Sequence, residues 1–313
     1  MIKNISVIGA GTMGHGIANV FAMAGYKVNL YESFDEVREK VKEKIKLELK
    51  FMVEKDYIDD SKVQKTLDNI TLYSDLKKAV ENADYVIEAT PEILELKQNL
   101  FKELDEYCPK HTILASNTSS LPLTDMMKLL TEERKKLIMI CHWYNPAHLL
   151  PIAELSYFGN MSEENFNKVY NLYITSGKQP VKVLKDIPGL IANRMLHALA
   201  REVFNLIEIG AASPEDIDKA LKFGPGFRSA TTGMLEVADM GGLDIWCTVE
   251  DNLFKVLSNS DKACDLMREK VKNKKLGLKS GEGFFKYPEN IKEKVLEDFY
   301  NRLIIQLKAS KNY

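Results

Sequence analysis

Apolar and polar positions along the first 183 or so residues switch repeatedly between two periods. Short β-rich runs at Ile5–Ile8, Lys27–Tyr31, Tyr85–Ile87, Thr112–Ala115, Leu137–Cys141 and Val181–Leu184 predict strands. Between them lie stretches with helical spacing, among them Thr12–Ala24 and Leu94–Leu104. A long charged stretch from Asp35 to Lys55 carries Val37, Val41, Ile45, Leu49 and Met52 every three or four residues, which predicts a helix with one apolar face. Strands that alternate with helices imply a mostly parallel sheet covered by helices, an α/β fold.

After Ile187-Pro188-Gly189 the pattern changes. Leu190–Ile209 is one long helical run, and Ser213-Pro214-Glu215-Asp216 reads as a helix start, with Ser as cap, Pro at the first position and acids in the first turn. Helical spacing continues to Tyr313, so two domains are expected, residues 1–186 and an all-helical 187–313. The last stretch, Ile291–Leu307, sets Val295, Phe299, Leu303 and Ile304 on one side. Its charges are mixed rather than basic, which favours a packing or subunit-contact helix over one lying on a membrane.

A length of 313 residues fits two domains at about 150 residues each, and 45% hydrophobic content allows a sizeable core. A net charge of -2 gives no overall electrostatic case for nucleic acid or an anionic membrane. No apolar run approaches the ~18 residues of a bilayer span. The opening MIKNISVIGAG enters a strand directly, without the apolar stretch of a signal peptide. Cys108, Cys141, Cys247 and Cys264 lack CxxC spacing, and no group of His, Cys and carboxylates has metal-ligand spacing. A cytoplasmic enzyme with reduced thiols and no metal is expected.

The first chemical motif is Gly9-Ala10-Gly11-Thr12-Met13-Gly14, between a strand and a helix. Gly9 permits the tight turn, Gly11 the approach of a pyrophosphate to the backbone, and Gly14 close helix–strand packing. Thr12 and Met13 complete the loop at the helix N-terminus. Glu32 ends the second strand. A carboxylate there accepts ribose hydroxyls and repels a 2′-phosphate, so the expected cofactor is NAD.

Ser116-Asn117-Thr118-Ser119-Ser120 and His142-Trp143-Tyr144-Asn145-Pro146 follow, with Glu154 twelve residues after His142. A hydroxyl-oxidising enzyme needs a base near neutrality, and a carboxylate on the far ring nitrogen would fix a histidine for that task. Spacing alone leaves open an ordinary hydrogen-bonded histidine.

With these motifs in order, the sequence resembles the L-3-hydroxyacyl-CoA dehydrogenase family, including 3-hydroxybutyryl-CoA dehydrogenases and the related gulonate and carnitine 3-dehydrogenases. The resemblance runs over about residues 3–288 and rests on VIGAGTMGHGIA, EATPE, ASNTSSL, HWYNPAHLLPIAE, IPGLIANR, the GLD segment and KLGLKSGEGFFKY. It implies a Rossmann-type NAD-binding domain followed by a helical domain that carries dimerisation, hence a homodimer. By this resemblance His142 is the base, Glu154 its orienting partner, Ser119 the hydroxyl on the substrate oxygen, and Asn193 the amide that positions the reacting group. Glu92, Lys97, Asn145 and Lys279 match positions that contact the dinucleotide.

Some positions depart from the acyl-CoA pattern. Where those enzymes present a Ser and, seven residues on, a Lys to CoA, this chain has Glu48 and Lys55. His148 and Pro151 stand where Pro and Lys are common, and Arg228 follows Gly224-Pro225-Gly226-Phe227 as in the gulonate and carnitine branch. Lys55 remains able to meet a CoA phosphate, whereas Arg228 would suit a small carboxylate. His15 and His148 read as neighbours of the cofactor and cleft, and Trp143 and Tyr144 as acyl-pocket or core aromatics. The expected activity is NAD-dependent oxidation of a short (S)-3-hydroxyacyl-CoA. The alternative is the same chemistry on a free 3-hydroxy acid. A third reading, a non-catalytic NAD-binding protein, conflicts with the intact set of Ser119, His142, Glu154 and Asn193.

Overall fold

In the computed structural model, which describes residues 2–313, the chain divides after Ile191 into two units. The first unit begins β1 (Asn4–Ile8), α1 (Gly14–Met23), β2 (Lys27–Tyr31), α2 (Asp35–Glu54), α3 (Ser61–Asp68) and β3 (Ile70–Tyr73). It continues α4 (Leu76–Val80), β4 (Tyr85–Glu88), α5 (Leu94–Tyr107), β5 (Ile113–Ser116), α6 (Leu123–Met126) and α7 (Glu132–Lys135). It closes with β6 (Ile138–Trp143), β7 (Ile152–Ser156), α8 (Glu163–Thr175) and β8 (Gln179–Val183).

The eight strands form one sheet in the order β3-β2-β1-β4-β5-β6-β7-β8. All neighbours are parallel except β6 and β7, which are antiparallel. The order of the first six strands is that of the doubly wound dinucleotide-binding fold, with its switch point between β1 and β4. Strands β4 and β5 are buried at every position, which is why each opens on three consecutive apolar residues rather than an alternating pattern, before ending on the buried polar Glu88 and Ser116. On α2 the predicted stripe is the buried face at Val41, Ile45, Leu49 and Met52. Val37, its first member, is instead 38% exposed.

The second unit holds α9 (Ala192–Glu208), α10 (Pro214–Phe223), α11 (Pro225–Ser229), α12 (Met234–Gly241), α13 (Leu243–Leu253), α14 (Asp265–Lys272) and α15 (Lys292–Ala309). Ser213 caps α10, accepting from the Asp216 amide ahead of Pro214 at the helix start. Among the described residues only Ile217, Ala238 and Ile304 of this unit are fully buried apolar side chains. The first unit runs a few residues beyond the boundary after residue 186 expected from sequence. Leu190 packs into the apolar core of the first unit, and the Ile191 amide bonds back to Glu154 on β7.

Candidate active site

The glycine-rich loop joins β1 to α1 at the switch point. Gly9 has φ +93°, a left-handed conformation that favours glycine, and its amide donates to the Tyr31 carbonyl. A Cβ on Gly14 would sit 1.7 Å from the Gly9 carbonyl oxygen, so α1 starts in contact with the turn itself. A Cβ on Gly11 would meet nothing within 4 Å, and the loop is open on that side.

Beside the loop lies a crevice of about 850 Å³ lined by Gly9, Gly11, Thr12, Met13 and Glu32, with Phe34, Val37 and Pro91 among its apolar walls. Glu32 is buried at its edge, its Oε2 accepting from the Ala10 amide at 2.9 Å and its Oε1 from the Phe34 amide at 3.0 Å. Oε1 also faces the Ser33 hydroxyl at 3.5 Å, while Oε2 keeps a second lone pair for a ribose hydroxyl. A glycine loop open at Gly11, a helix N-terminus behind it and a fixed acid fit an NAD dinucleotide. Phe34, 71% exposed, offers a hydrophobic wall that the sequence reading passed over. An aromatic two residues beyond the strand-end acid was its only signal.

Next to the crevice is a network centred on Glu88, at the end of β4 and absent from the sequence-based set. It accepts from Lys97 Nζ at 2.6 Å, from the Thr90 amide and hydroxyl at 2.9 and 2.6 Å, and from the Ser116 hydroxyl. Lys97 is 1% exposed and therefore committed to this pair, with Glu92 3.5 Å away. Glu92 in turn braces the Ser116–Ser120 loop, its Oε1 accepting from the Thr118 hydroxyl and the Ser119 and Ser120 amides. Burial pushes the Glu92 carboxyl up, but these donors and Lys97 outweigh it and hold it below the ordinary range. Ser119 thus sits on a loop fixed through its backbone.

His142 and Glu154 meet because β6 and β7 are antiparallel and place them directly opposite one another. Cross-strand partners share a face, which explains contact across twelve residues. Nδ1 of His142 lies 2.9 Å from Glu154 Oε2. A carboxylate only accepts, so Nδ1 carries the hydrogen and Nε2 keeps the lone pair. Both groups are buried, and Glu154 has no exposed surface. Its other oxygen accepts from the Ile191 amide at 2.8 Å. Tyr144, two residues along and so on the same side as His142, also donates to Glu154 Oε2 at 2.9 Å.

Glu48 does not present its charge to the surface. It faces His15 Nε2 at 2.8 Å and His148 Nδ1 at 3.6 Å, while His15 Nδ1 donates to the Gly11 carbonyl. Burial pushes the Glu48 carboxyl up, but the His15 hydrogen bond and the charge of His148 overcome it and leave it lowered. His148 itself is lowered, chiefly by burial. Lys178 holds the segment between, donating to the Ala147 and Leu150 carbonyls at 2.6 and 2.7 Å beneath the Trp143 ring, so Trp143 is core. Lys55 is half-buried at the end of α2, over the Phe51 ring, and Asn145 is exposed after β6. In the second unit, Asn193 lies in the first turn of α9, and Arg228 on α11 and Lys279 are exposed.

Comparison with known proteins gives a consistent picture. Residues 4–187 match the family model described as 3-hydroxyacyl-CoA dehydrogenase, NAD binding domain, and residues 189–287 match 3-hydroxyacyl-CoA dehydrogenase, C-terminal domain. The chain is 34% identical over 293 residues to the 5-formyl-3-hydroxy-2-methylpyridine 4-carboxylate 5-dehydrogenase of Mesorhizobium japonicum, covering 93% of each chain. It is 37% identical over 294 residues to the mitochondrial hydroxyacyl-coenzyme A dehydrogenase of Rattus norvegicus, covering 92% of each. A crystal structure of a 5-formyl-3-hydroxy-2-methylpyridine 4-carboxylic acid 5-dehydrogenase, described as an NAD+ dependent dismutase, superposes with a TM-score of 0.88 at 32% identity and 97% coverage of both chains.

Proposed function

The chain belongs to the 3-hydroxyacyl-CoA dehydrogenase family and is an NAD-dependent oxidoreductase, and on that premise we propose that it oxidises the 3-hydroxyl of a short (S)-3-hydroxyacyl-CoA to the ketone, reversibly, with His142 as base. The observation that carries this reading is the His142–Glu154 pair. The glycine loop and Glu32 would hold NAD+, which when bound would supply the acceptor for the hydride that leaves C3. His142 Nε2 takes the hydroxyl proton, and Glu154 stabilises the imidazolium that results. In the reverse direction the imidazolium returns the proton. Ser119 is assigned to the substrate oxygen and Asn193 to the reacting group, following the family pattern. Glu92, Lys97, Asn145 and Lys279 serve the cofactor, with the buried Lys97 acting through Glu88 and Glu92 rather than as a free cation.

Two observations bear on the substrate. Glu48 is turned toward His15 and His148 rather than outward, which lessens its repulsion of a CoA phosphate near Lys55. A second reading, a small free carboxylate held by Arg228, is favoured by the likeness to the pyridine-carboxylate dehydrogenase. That structure covers 97% of this chain, so about nine residues are uncovered, fewer than the 18 of α15, which lies beyond the family models. Loss of NADH absorbance with acetoacetyl-CoA, beside the reverse reaction with gulonate, carnitine, 3-hydroxybutyrate and a pyridine carboxylate, separates the two. Turnover of acetoacetyl-CoA alone supports the first reading, and turnover of a free acid alone replaces it with the second. His142→Gln abolishes turnover in either case while NADH still binds; surviving turnover refutes the assigned base.

The enzyme is further proposed to be a homodimer joined through its second unit. No residue of α9 is buried, and Leu235, Met240 and Val256 are at least 74% exposed. An apolar surface of this kind on a unit with so small a core of its own fits an interface between subunits.

A further inference from the structure

Tyr144 is the third group on the dyad. Its ring meets the His142 ring edge-on, with centroids 4.6 Å apart and planes at 63°, and its hydroxyl donates to the same Glu154 oxygen that His142 Nδ1 uses. The two lone pairs of Oε2 are thus divided between an imidazole and a phenol. Opposite Glu154 on β8 the paired residue is Val181, which brings no charge, and on the far oxygen the donor is the Ile191 backbone. Two titratable groups, His142 and Tyr144, thus share Oε2.

We propose that Tyr144 is a positioning residue that sets the strength of the base: its ring fixes the imidazole plane, and its hydroxyl limits how strongly Glu154 draws the Nδ1 proton. A carboxylate that already accepts other hydrogen bonds is a weaker base, so it stabilises the imidazolium less. Without the phenol, Glu154 Oε2 would have one donor fewer to serve besides His142, and the imidazolium would be favoured. The inference rests on the reading of His142 and Glu154 as the catalytic pair.

The conservative probe is Tyr144→Phe, which keeps the ring contact and removes only the hydroxyl. Full-length protein carrying [13Cε1]histidine gives signals from five histidines, and His142 is assigned by its loss in His142→Gln. In Tyr144→Phe the His142 midpoint moves up by about half a pH unit, the size expected for one lost hydrogen bond to a carboxylate passed on in part. The apparent pKa of the oxidation profile moves up with it, so oxidation slows on the acid side of the profile. The other four histidines stay in place, which shows that the fold is intact. In a Glu154→Gln background the same substitution moves nothing. An unmoved or lowered midpoint overturns the proposal, and so does a shift that persists without Glu154. The titration needs no turnover, so it is read separately from the base assignment, which fails only if His142→Gln remains active.

Discussion

Two glycines of one loop respond oppositely to the same added methyl. Gly14→Ala places a Cβ 1.7 Å from the Gly9 carbonyl oxygen, about half the 3.4–4 Å of an ordinary contact. The neighbour is backbone and cannot rotate away, so α1 must move off the turn, at a cost of about 3 kcal/mol or more. Gly11→Ala meets nothing within 4 Å, and its φ is not in the left-handed region. The protein without ligand should be unchanged or more stable by about 0.4–1 kcal/mol, since alanine restricts the unfolded chain. The same methyl stands where a pyrophosphate would approach the loop, and NADH affinity should fall at least about tenfold, or ~1.4 kcal/mol. Urea denaturation without ligand and a fluorescence titration with NADH measure the two quantities. If Gly11→Ala binds NADH like the parent, the loop does not take the pyrophosphate. A Gly14→Ala protein as stable as the parent would refute the steric argument.

Lys97→Met leaves Glu88 buried with only the hydroxyl and amide donors of Ser116 and Thr90, and should cost about 3 kcal/mol in denaturant unfolding. A loss under 1 kcal/mol would show that the ion pair is dispensable. Burial pushes Lys178 down to about 7 from 10.5, so between those values the unfolded chain binds more protons and stability rises with pH, while below about 7 the contribution is flat. Lys178→Met should remove up to about 2 kcal/mol of the rise between pH 7 and 9. Parallel pH dependences for the two proteins refute that account. Ending the chain after Pro288 deletes α15 and Ile304, one of three buried apolar side chains in its unit, and should shift sedimentation toward monomer. A truncated protein that sediments wholly as a dimer removes α15 from the interface.

The doubly wound sheet was legible because its central strands are apolar runs of four to six residues set between helical spacings, and β2 lies at Lys27–Tyr31 in sequence and structure alike. Strand β3 went unread because Ile70-Thr71-Leu72-Tyr73 is an edge strand with one buried residue and hence almost no pattern. The helical run of α9 was legible, but its exposure was not, since periodicity marks an element and not what covers it. At the site, residue type and motif order picked out His142 and Glu154, while their contact depended on the register of an antiparallel pair. Glu88 escaped, and Tyr144 was read only as an acyl-pocket or core aromatic, for the same reason: a buried acid in a strand and a tyrosine beside a histidine acquire meaning only from partners distant in sequence. Glu48, read as a departure from the acyl-CoA pattern on a helix face, is instead turned toward His15 and His148 from two other segments.

Glu32 has a consequence for anyone wishing to redesign nucleotide preference. Its carboxylate latches the Ala10 and Phe34 amides, and so ties the glycine turn to the end of β2. Exchange for a neutral or basic side chain, the usual route toward a 2′-phosphate, would release both latches along with the proposed ribose contact. Selectivity and loop rigidity are thus encoded in one residue, and a successful switch would have to supply a new acceptor for those amides as well as a cation for the phosphate.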